Sequence, residues 1–332
     1  MSPMIRHAVS ILLVLALACL AGCAKPGGDG AAVARSIVID APPRPWDTPR
    51  TKGVQFISDH YHIYTTVDRQ PLRKYLPGFM EAAHEHYLEM TGLAGRPRGR
   101  RMVMYVMATR RQWALLTTAR LGPRADGPLK ITAGGYCYAG VSVLWDIGTR
   151  STLSVASHEG LHQFFAHRMS DSLPMWLEEG LCAMAEAHIR RRDTVVFTPK
   201  HNPSRITSLR TAIINNHWIP IERLLPMDAG DAVGKSLEKA VGYYGQVWAL
   251  SLFLRSVPAY RQGMERLIKD AQAGRLYRAV GVSARALSQL RRLGRPYNRT
   301  VSLPLFRHYI TGDTAAFDRA YLAFARNLSG LK

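Results

Sequence analysis

Apolar and polar residues repeat with two different periods along the chain. A period of two over residues 61–67 is typical of a half-buried strand. Apolar residues at helical spacing then cover 72–93, which predicts a helix. Two further apolar runs, 101–107 and Val141–Trp145, are predicted to be strands. The pattern therefore indicates a small α/β sheet unit over residues 53–150.

Helical periods dominate the rest of the chain, from residue 151 to residue 332. The predicted helices cover 152–169, 174–191, 204–215, 236–256, 258–273 and 314–328. A sheet unit followed by a mainly helical region predicts the α+β class. Residues 23–52 are rich in Gly, Pro, Ala and Arg and show no hydrophobic period, so we predict a flexible tether there.

The first 22 residues have the layout of a secretory signal peptide. Arg6 precedes a short apolar run, and small residues come directly before Cys23. The Leu-Ala-Gly-Cys sequence at 20–23 resembles the lipobox of bacterial lipoproteins, in which the cysteine carries lipid. That resemblance implies a bacterial envelope protein that is bound to the membrane through lipidated Cys23, at the outer membrane and facing the periplasm. Ordinary secretion with an unmodified Cys23 is the alternative.

The composition adds a strong positive charge. Lys and Arg number 44 against 24 acidic residues, which gives a formal net charge of +20. Such a surface suits anionic envelope polymers as partners. The basic clusters lie at predicted element ends without interleaved aromatic residues, so we expect no specific nucleic-acid partner. Beyond the signal region and Cys23 the chain has two cysteines, Cys137 and Cys182, which we interpret as small buried hydrophobes rather than as a disulfide.

The first candidate metal-binding and catalytic residues lie on the helix predicted over 152–169. His158 and His162 are four positions apart and therefore share one helix face. Two imidazoles placed in this way can hold one Zn²⁺. Glu159 follows the first histidine and points toward the open position of such a metal, where it can act as a general base on water.

A second acidic segment follows on the next predicted helix, after Pro174. A catalytic zinc site takes three protein ligands and keeps one position open, and two histidines with one glutamate are a standard set. A helix that returns after a proline turn can present Glu178 or Glu179 to the first helix. Cys182 shares a helix face with Glu179 and can approach the metal, although we favour simple packing for this side chain.

Together these segments resemble the gluzincin metallopeptidases, the clan that contains thermolysin and the zinc aminopeptidases. The resemblance is carried by His-Glu-x-x-His at 158–162 and by Trp-Leu-x-Glu-Gly-Leu at 176–181. It is specific only across residues 133–186. It implies a gluzincin-like catalytic region within the helical part of the chain, and one zinc ion as cofactor.

The resemblance also implies roles for individual residues. His158, His162 and Glu179 would bind the zinc ion, with Glu178 as the rival of Glu179. Glu159 would be the general base.

Further residues take supporting roles in the same resemblance. Glu186 would lie behind the ligands and orient a histidine, and a solvated helix acid is the alternative. The Tyr244 hydroxyl would stabilise the oxyanion, with Tyr243 as second choice and core packing as the alternative. A peptide would add as a strand to a sheet edge, at 134–136 or at Val141–Trp145.

Together these expectations predict a membrane-tethered zinc metallopeptidase that hydrolyses peptide or protein substrates. One alternative is a non-catalytic lipoprotein of the same fold that acts as an envelope binding or scaffolding module. Another is a basic module that binds nucleic acid or anionic envelope polymers. The sequence does not discriminate between endopeptidase, aminopeptidase and amidase activity.

Overall fold

The computed structural model describes residues 10–11, 33–48, 51–93, 101–227, 237–292 and 297–331. It combines helices with mixed sheets, so the predicted α+β class is confirmed. Cys23 and all of the predicted signal peptide except residues 10–11 lie outside the described residues. Within the described ranges no helix is both long and apolar enough to cross a bilayer.

The strands of the described part form two sheets. In chain order they are β1 (Ser10–Ile11), β2 (Arg35–Ser36), β3 (Arg44–Thr48), β4 (Thr51–Ile57), β5 (Tyr61–Thr65), β6 (Met102–Met107), β7 (Gly135–Tyr138), β8 (Val141–Trp145), β9 (His188–Arg191) and β10 (Thr194–Phe197). The larger sheet has the order β1-β7-β8-β6-β5-β4-β3, and the smaller has the order β2-β10-β9. In the larger sheet β5, β6 and β8 run parallel, and the other neighbours are antiparallel.

Helices make up most of the remaining described chain. In order they are α1 (Gln70–Thr91), α2 (Arg110–Leu121), α3 (Thr149–Arg168), α4 (Met175–Ala185), α5 (Pro203–Ile214), α6 (Ile221–Leu224), α7 (Leu237–Ser256), α8 (Pro258–Gln272), α9 (Ala284–Arg292), α10 (Tyr297–Tyr309) and α11 (Thr314–Leu328). The predicted helices are found with small shifts of their ends, except over 174–191. Four helices, α2, α6, α9 and α10, were not predicted.

The larger sheet is covered on both faces, and this arrangement positions α3. One core cluster extends from Ile37 to Ala325 and includes residues of β5, β6, α1 and α3, so the sheet and the later helices share it. On the opposite face Trp113 of α2 is fully buried, and its Nε1 donates a hydrogen bond to the Val143 carbonyl at 3.0 Å. Strand β8 is therefore held on both faces, and α3 begins directly after it.

The predicted tether is too long at its C-terminal end. Within 23–52, strand β2 pairs with β10, Ile37 is buried, and β3 pairs with β4. Pro45 is tolerated because β3 is the last strand of the sheet, where no outer partner needs its missing N–H group. Trp46 packs its ring against Tyr64 with 5.0 Å between ring centroids. Short edge strands need few apolar residues, which is why the composition alone indicated a flexible segment.

The helix predicted over 174–191 is also wrong at its end. Helix α4 ends at Ala185, and β9 and β10 form an antiparallel hairpin. Val195 and Phe197 of this hairpin are buried, and the Phe197 ring lies 5.6 Å from that of Phe79 on α1. Packing against α1 therefore selects a strand where the local apolar spacing favoured a continued helix.

One of the two predicted substrate edges is not an edge. Val141–Trp145 is β8, which pairs with β6 on one side and with β7 on the other. Strand β7 overlaps the other candidate, 134–136, and its outer side pairs antiparallel with Ser10–Ile11. Those two residues belong to the predicted signal peptide, so β7 is the outermost strand after the signal region on that side of the larger sheet, and β3 is the outermost strand on the other side.

Candidate metal centre

Two helices meet at the candidate site. Helix α3 carries His158, Glu159 and His162, and helix α4 returns after Pro174 and carries Glu179. All four of the named acidic and imidazole side chains are buried, with residue exposures between 0% and 4%. The structure therefore brings together the residues that the two sequence motifs contain.

Glycines allow these helices to pack closely against their neighbours. A Cβ atom on Gly160 would lie 2.7 Å from the Tyr87 hydroxyl of α1. A Cβ atom on Gly180 would lie 2.4 Å from the Val247 carbonyl oxygen of α7. Real Cβ atoms essentially never come this close. A side chain at Gly180 would push α4 away from the α7 backbone, and one at Gly160 would force the Met80 and Tyr87 side chains to move. Close packing therefore explains why each motif has a glycine at this position.

The three expected ligands have the separations that a small tetrahedral ion requires. His158 Nε2 lies 3.4 Å from Glu179 Oε2, and His162 Nε2 lies 3.8 Å from the same oxygen. Ligands that bind Zn²⁺ at about 2.0–2.2 Å in tetrahedral geometry lie about 3.3–3.5 Å from one another. Small adjustments of the side chains would therefore bring all three atoms to one ion.

Six buried polar atoms of these four side chains have no hydrogen-bond partner. Among the described residues, the buried unpartnered atoms include Nε2 of His158, Nε2 of His162, and both carboxylate oxygens of Glu179 and Glu159. Leaving a buried polar group unsatisfied costs about 1–3 kcal/mol, and more for a charged group. Three of these atoms, the two Nε2 atoms and Glu179 Oε2, have the spacing of ligands to one ion, so the donor set fits zinc.

The other nitrogen of each histidine is hydrogen-bonded to a carboxylate. His158 Nδ1 lies 2.9 Å from Glu186 Oε1, and His162 Nδ1 lies 2.8 Å from Glu178 Oε1. A carboxylate can only accept from Nδ1–H, so each Nε2 keeps its lone pair for a metal. Glu178 lies behind His162 in this arrangement, which favours Glu179 over Glu178 as the third ligand.

Glu186 is itself held by two buried side chains of the α5 region. Arg205 donates from Nε to Glu186 Oε2 at 3.0 Å and from Nη2 to Oε1 at 2.5 Å. Asn202 donates from Nδ2 to Glu186 Oε2 at 2.9 Å, and its own side-chain oxygen caps α5. Arg205 and Asn202 were not predicted as site residues, because nothing in their local pattern distinguishes them from an ordinary helix start.

Burial and neighbouring charges set the protonation of the acids. Burial raises the pKa of Glu159 to about 7, against the opposing effect of the two histidines. Burial also acts to raise the pKa of Glu179, but His162 and His158 outweigh it and lower that pKa to about 2. The pKa values of both imidazoles lie above their usual value although burial acts to lower them, because Glu179 and Glu186 act on His158, and Cys182 and Glu179 act on His162. The site therefore attracts positive charge.

The two tyrosines proposed for the oxyanion have different surroundings. The Tyr243 hydroxyl donates to the Met227 carbonyl at 3.5 Å. Burial and then the Glu179 carboxylate raise the pKa of Tyr244 well above its usual value. The Arg205 guanidinium lies 5.1 Å from the centre of the Tyr244 ring. Of the two phenols, Tyr244 is therefore the one associated with the site residues.

Both described cysteines, Cys137 and Cys182, are free and buried, as expected for cysteines that do not form a disulfide. Cys182 also lies beside the two histidines of the site. His158, His162 and Cys182 each offer one ligand atom, and these three atoms all lie within 4.8 Å of one another.

No protein-family model matches this chain, and no curated protein matches it in sequence.

Proposed function

We propose that this chain is a zinc-dependent peptidase whose metal ligands are His158, His162 and Glu179. The observation that carries the proposal is that the buried, unpartnered Nε2 atoms of both histidines lie within 3.8 Å of one unpartnered Glu179 oxygen, Oε2. The spacing of the ligand atoms and the carboxylates behind both histidines support the same assignment.

A zinc ion in a site of this kind supplies Lewis-acid polarisation of a carbonyl and makes water more acidic. Glu159 would take the proton of the attacking water and later give it to the leaving amine. The pKa of Glu159, raised by burial to about 7, suits a group that must accept and release a proton near neutral pH. Its burial also excludes bulk water that would compete for that proton.

The Tyr244 phenol would donate a hydrogen bond to the oxyanion that develops on the scissile carbonyl. A fixed donor in a buried site stabilises developing charge because it needs no reorganisation during the reaction. Arg205 lies against the Tyr244 ring and also binds Glu186, so one cation supports both the phenol and the orientation of His158.

The substrate would be a peptide or protein. In this proposal it binds by strand addition along β7, which is the outermost strand after the signal region on the β8 side of the larger sheet. A lipid on Cys23 would hold the enzyme at the outer membrane and facing the periplasm, and the net charge of +20 would favour contact with anionic envelope polymers.

A digest of a peptide library by the full-length chain, read by mass spectrometry, tests this function. Wild type should cleave, a chelator should abolish cleavage, and added zinc should restore it. Glu159→Gln should reduce the rate by about 10²–10⁴-fold, the usual contribution of a general base. The matched control is Glu265→Gln, an exposed acid on α8, which should cleave like wild type. Equal cleavage by wild type and Glu159→Gln would refute the assignment.

A further inference from the structure

We propose that the Cys182 thiolate is a fourth protein ligand of the metal and closes the resting site to water. This inference rests on the proposed metal site. It goes further because the expected set of two histidines and one glutamate leaves one position open. Cys182 would occupy that position, so hydrolysis would require the sulfur to move away first.

The position of Cys182 on α4 makes this possible. Glu179 and Cys182 are three positions apart on one helix and therefore lie on the same face, toward α3. Both side chains are fully buried, with an exposure of 0%. The ligand atoms of His158, His162 and Cys182 all lie within 4.8 Å of one another.

A second observation points to a ligand at the same place. Nε2 of His158 and Nε2 of His162 are buried, have no hydrogen-bond partner and lie within 3.8 Å of Glu179 Oε2. The Nδ1 atom of each histidine is bound to a carboxylate, so an ion held by the two Nε2 atoms would lie beside the Cys182 sulfur. An ion shared between the nitrogens, a carboxylate oxygen and the sulfur would satisfy all of them.

The chemistry of the set gives the consequence. Zinc binds thiolate sulfur at about 2.3 Å, and a sulfur and a nitrogen on one tetrahedral zinc ion lie about 3.5 Å apart. Coordination removes the thiol proton, which is released to solvent. Sites with four protein ligands are closed, whereas catalytic sites keep one position for water. A sulfur ligand also shifts the preference of the site toward softer metals.

Cobalt substitution of the full-length chain tests the sulfur directly. The Co²⁺-loaded wild type should show a sulfur-to-cobalt charge-transfer band in the near ultraviolet. Cys182→Ser should lose this band and still bind cobalt. Cys137→Ser, which changes the other buried cysteine, should keep it. Cys182→Ala, loaded with zinc, should cleave peptides several-fold faster than wild type because its fourth position is open.

The outcomes separate this inference from the proposed function. Cobalt that binds in a Glu179-dependent way without the band would overturn the fourth ligand and leave the metal site intact. No cobalt binding would overturn both. A band that survives in Cys182→Ser, or peptide cleavage by Cys182→Ala no faster than by wild type, would also overturn the inference.

A second measurement needs no variant and therefore does not depend on how a substituted chain folds. X-ray absorption at the zinc edge of the wild-type chain should detect one sulfur at about 2.3 Å. A first shell of only nitrogen and oxygen would overturn the inference.

Discussion

The two histidines of the candidate metal centre are held in different ways. Behind His158, Glu186 is buried and is bound by Arg205 and by Asn202. Behind His162, Glu178 has a side chain that is 17% exposed. One side of the site is therefore fixed deep in the core, and the other lies nearer to solvent.

Because of this difference, substitutions on the two sides of the site should affect folding and metal binding to different extents. The His158 side depends on a buried charge network, which is costly to break because its members are out of reach of water. The His162 side has a more accessible carboxylate, which water can solvate if a partner is lost. We therefore expect substitutions on the His158 side to affect folding and metal binding together, and those on the His162 side to affect metal binding more selectively.

The largest effect on stability is expected from Arg205→Ala. This change leaves the Glu186 carboxylate buried without its cation, and breaking a buried ion pair in this way costs about 3–5 kcal/mol. Denaturant unfolding of the full-length chain should show a lower free energy of unfolding. The control is Arg307→Ala, because the Arg307–Glu222 pair is exposed and its loss should change stability little. An equal loss of stability in the two variants would contradict the conclusion that the His158 side of the site is held by a buried ion pair.

The two carboxylates behind the histidines should differ in their effect on metal affinity. Loss of such a partner usually weakens metal binding about 10–100-fold. We expect Glu186→Gln near the upper end of this range and Glu178→Gln near the lower end, as measured by competition with a chelator for zinc. A stronger loss in Glu178→Gln would reverse the comparison, and loss of all zinc in that variant would promote Glu178 to a ligand.

A smaller effect is expected from the helix packing that supports both sides. In Gly180→Ala the new methyl group would meet the Val247 carbonyl of α7, and overpacking of this kind costs about 1–3 kcal/mol. Gly242→Ala on α7 is the control, because its Cβ would lie 3.6 Å from Ala212, an ordinary contact. Thermal unfolding should show a lower midpoint for the first variant only. A midpoint unchanged in Gly180→Ala would show that α4 and α7 can separate without cost.

The hydrophobic pattern predicted those helices and strands whose own residues repeat with a clear period. Strand β8 was predicted with its observed bounds, and α3 to within a few residues, because each has a clear period over its whole length. The β9–β10 hairpin was missed because contact with Phe79 on α1, and not the local spacing, selects it. The strands within 33–48 were missed because their composition resembles that of a loop.

In the candidate site, too, the features that depend on contacts between separate helices could not be predicted from local spacing. Spacing placed His158 and His162 on one helix face, and the resemblance grouped them with Glu179 and Glu186, which the structure brings to the same place. Arg205 was missed because it reaches Glu186 from a separate helix. The position of Glu178 behind His162 depends on how α3 and α4 cross, which no spacing within either helix determines.

The zinc content of the purified full-length chain tests the central claim most directly. We predict about one zinc ion per chain in wild type and in Glu159→Gln, and loss of that zinc in His158→Ala and in Glu179→Ala. A wild-type chain that purifies without zinc and binds none when it is added, or one whose zinc content is the same in both ligand variants, would contradict the account.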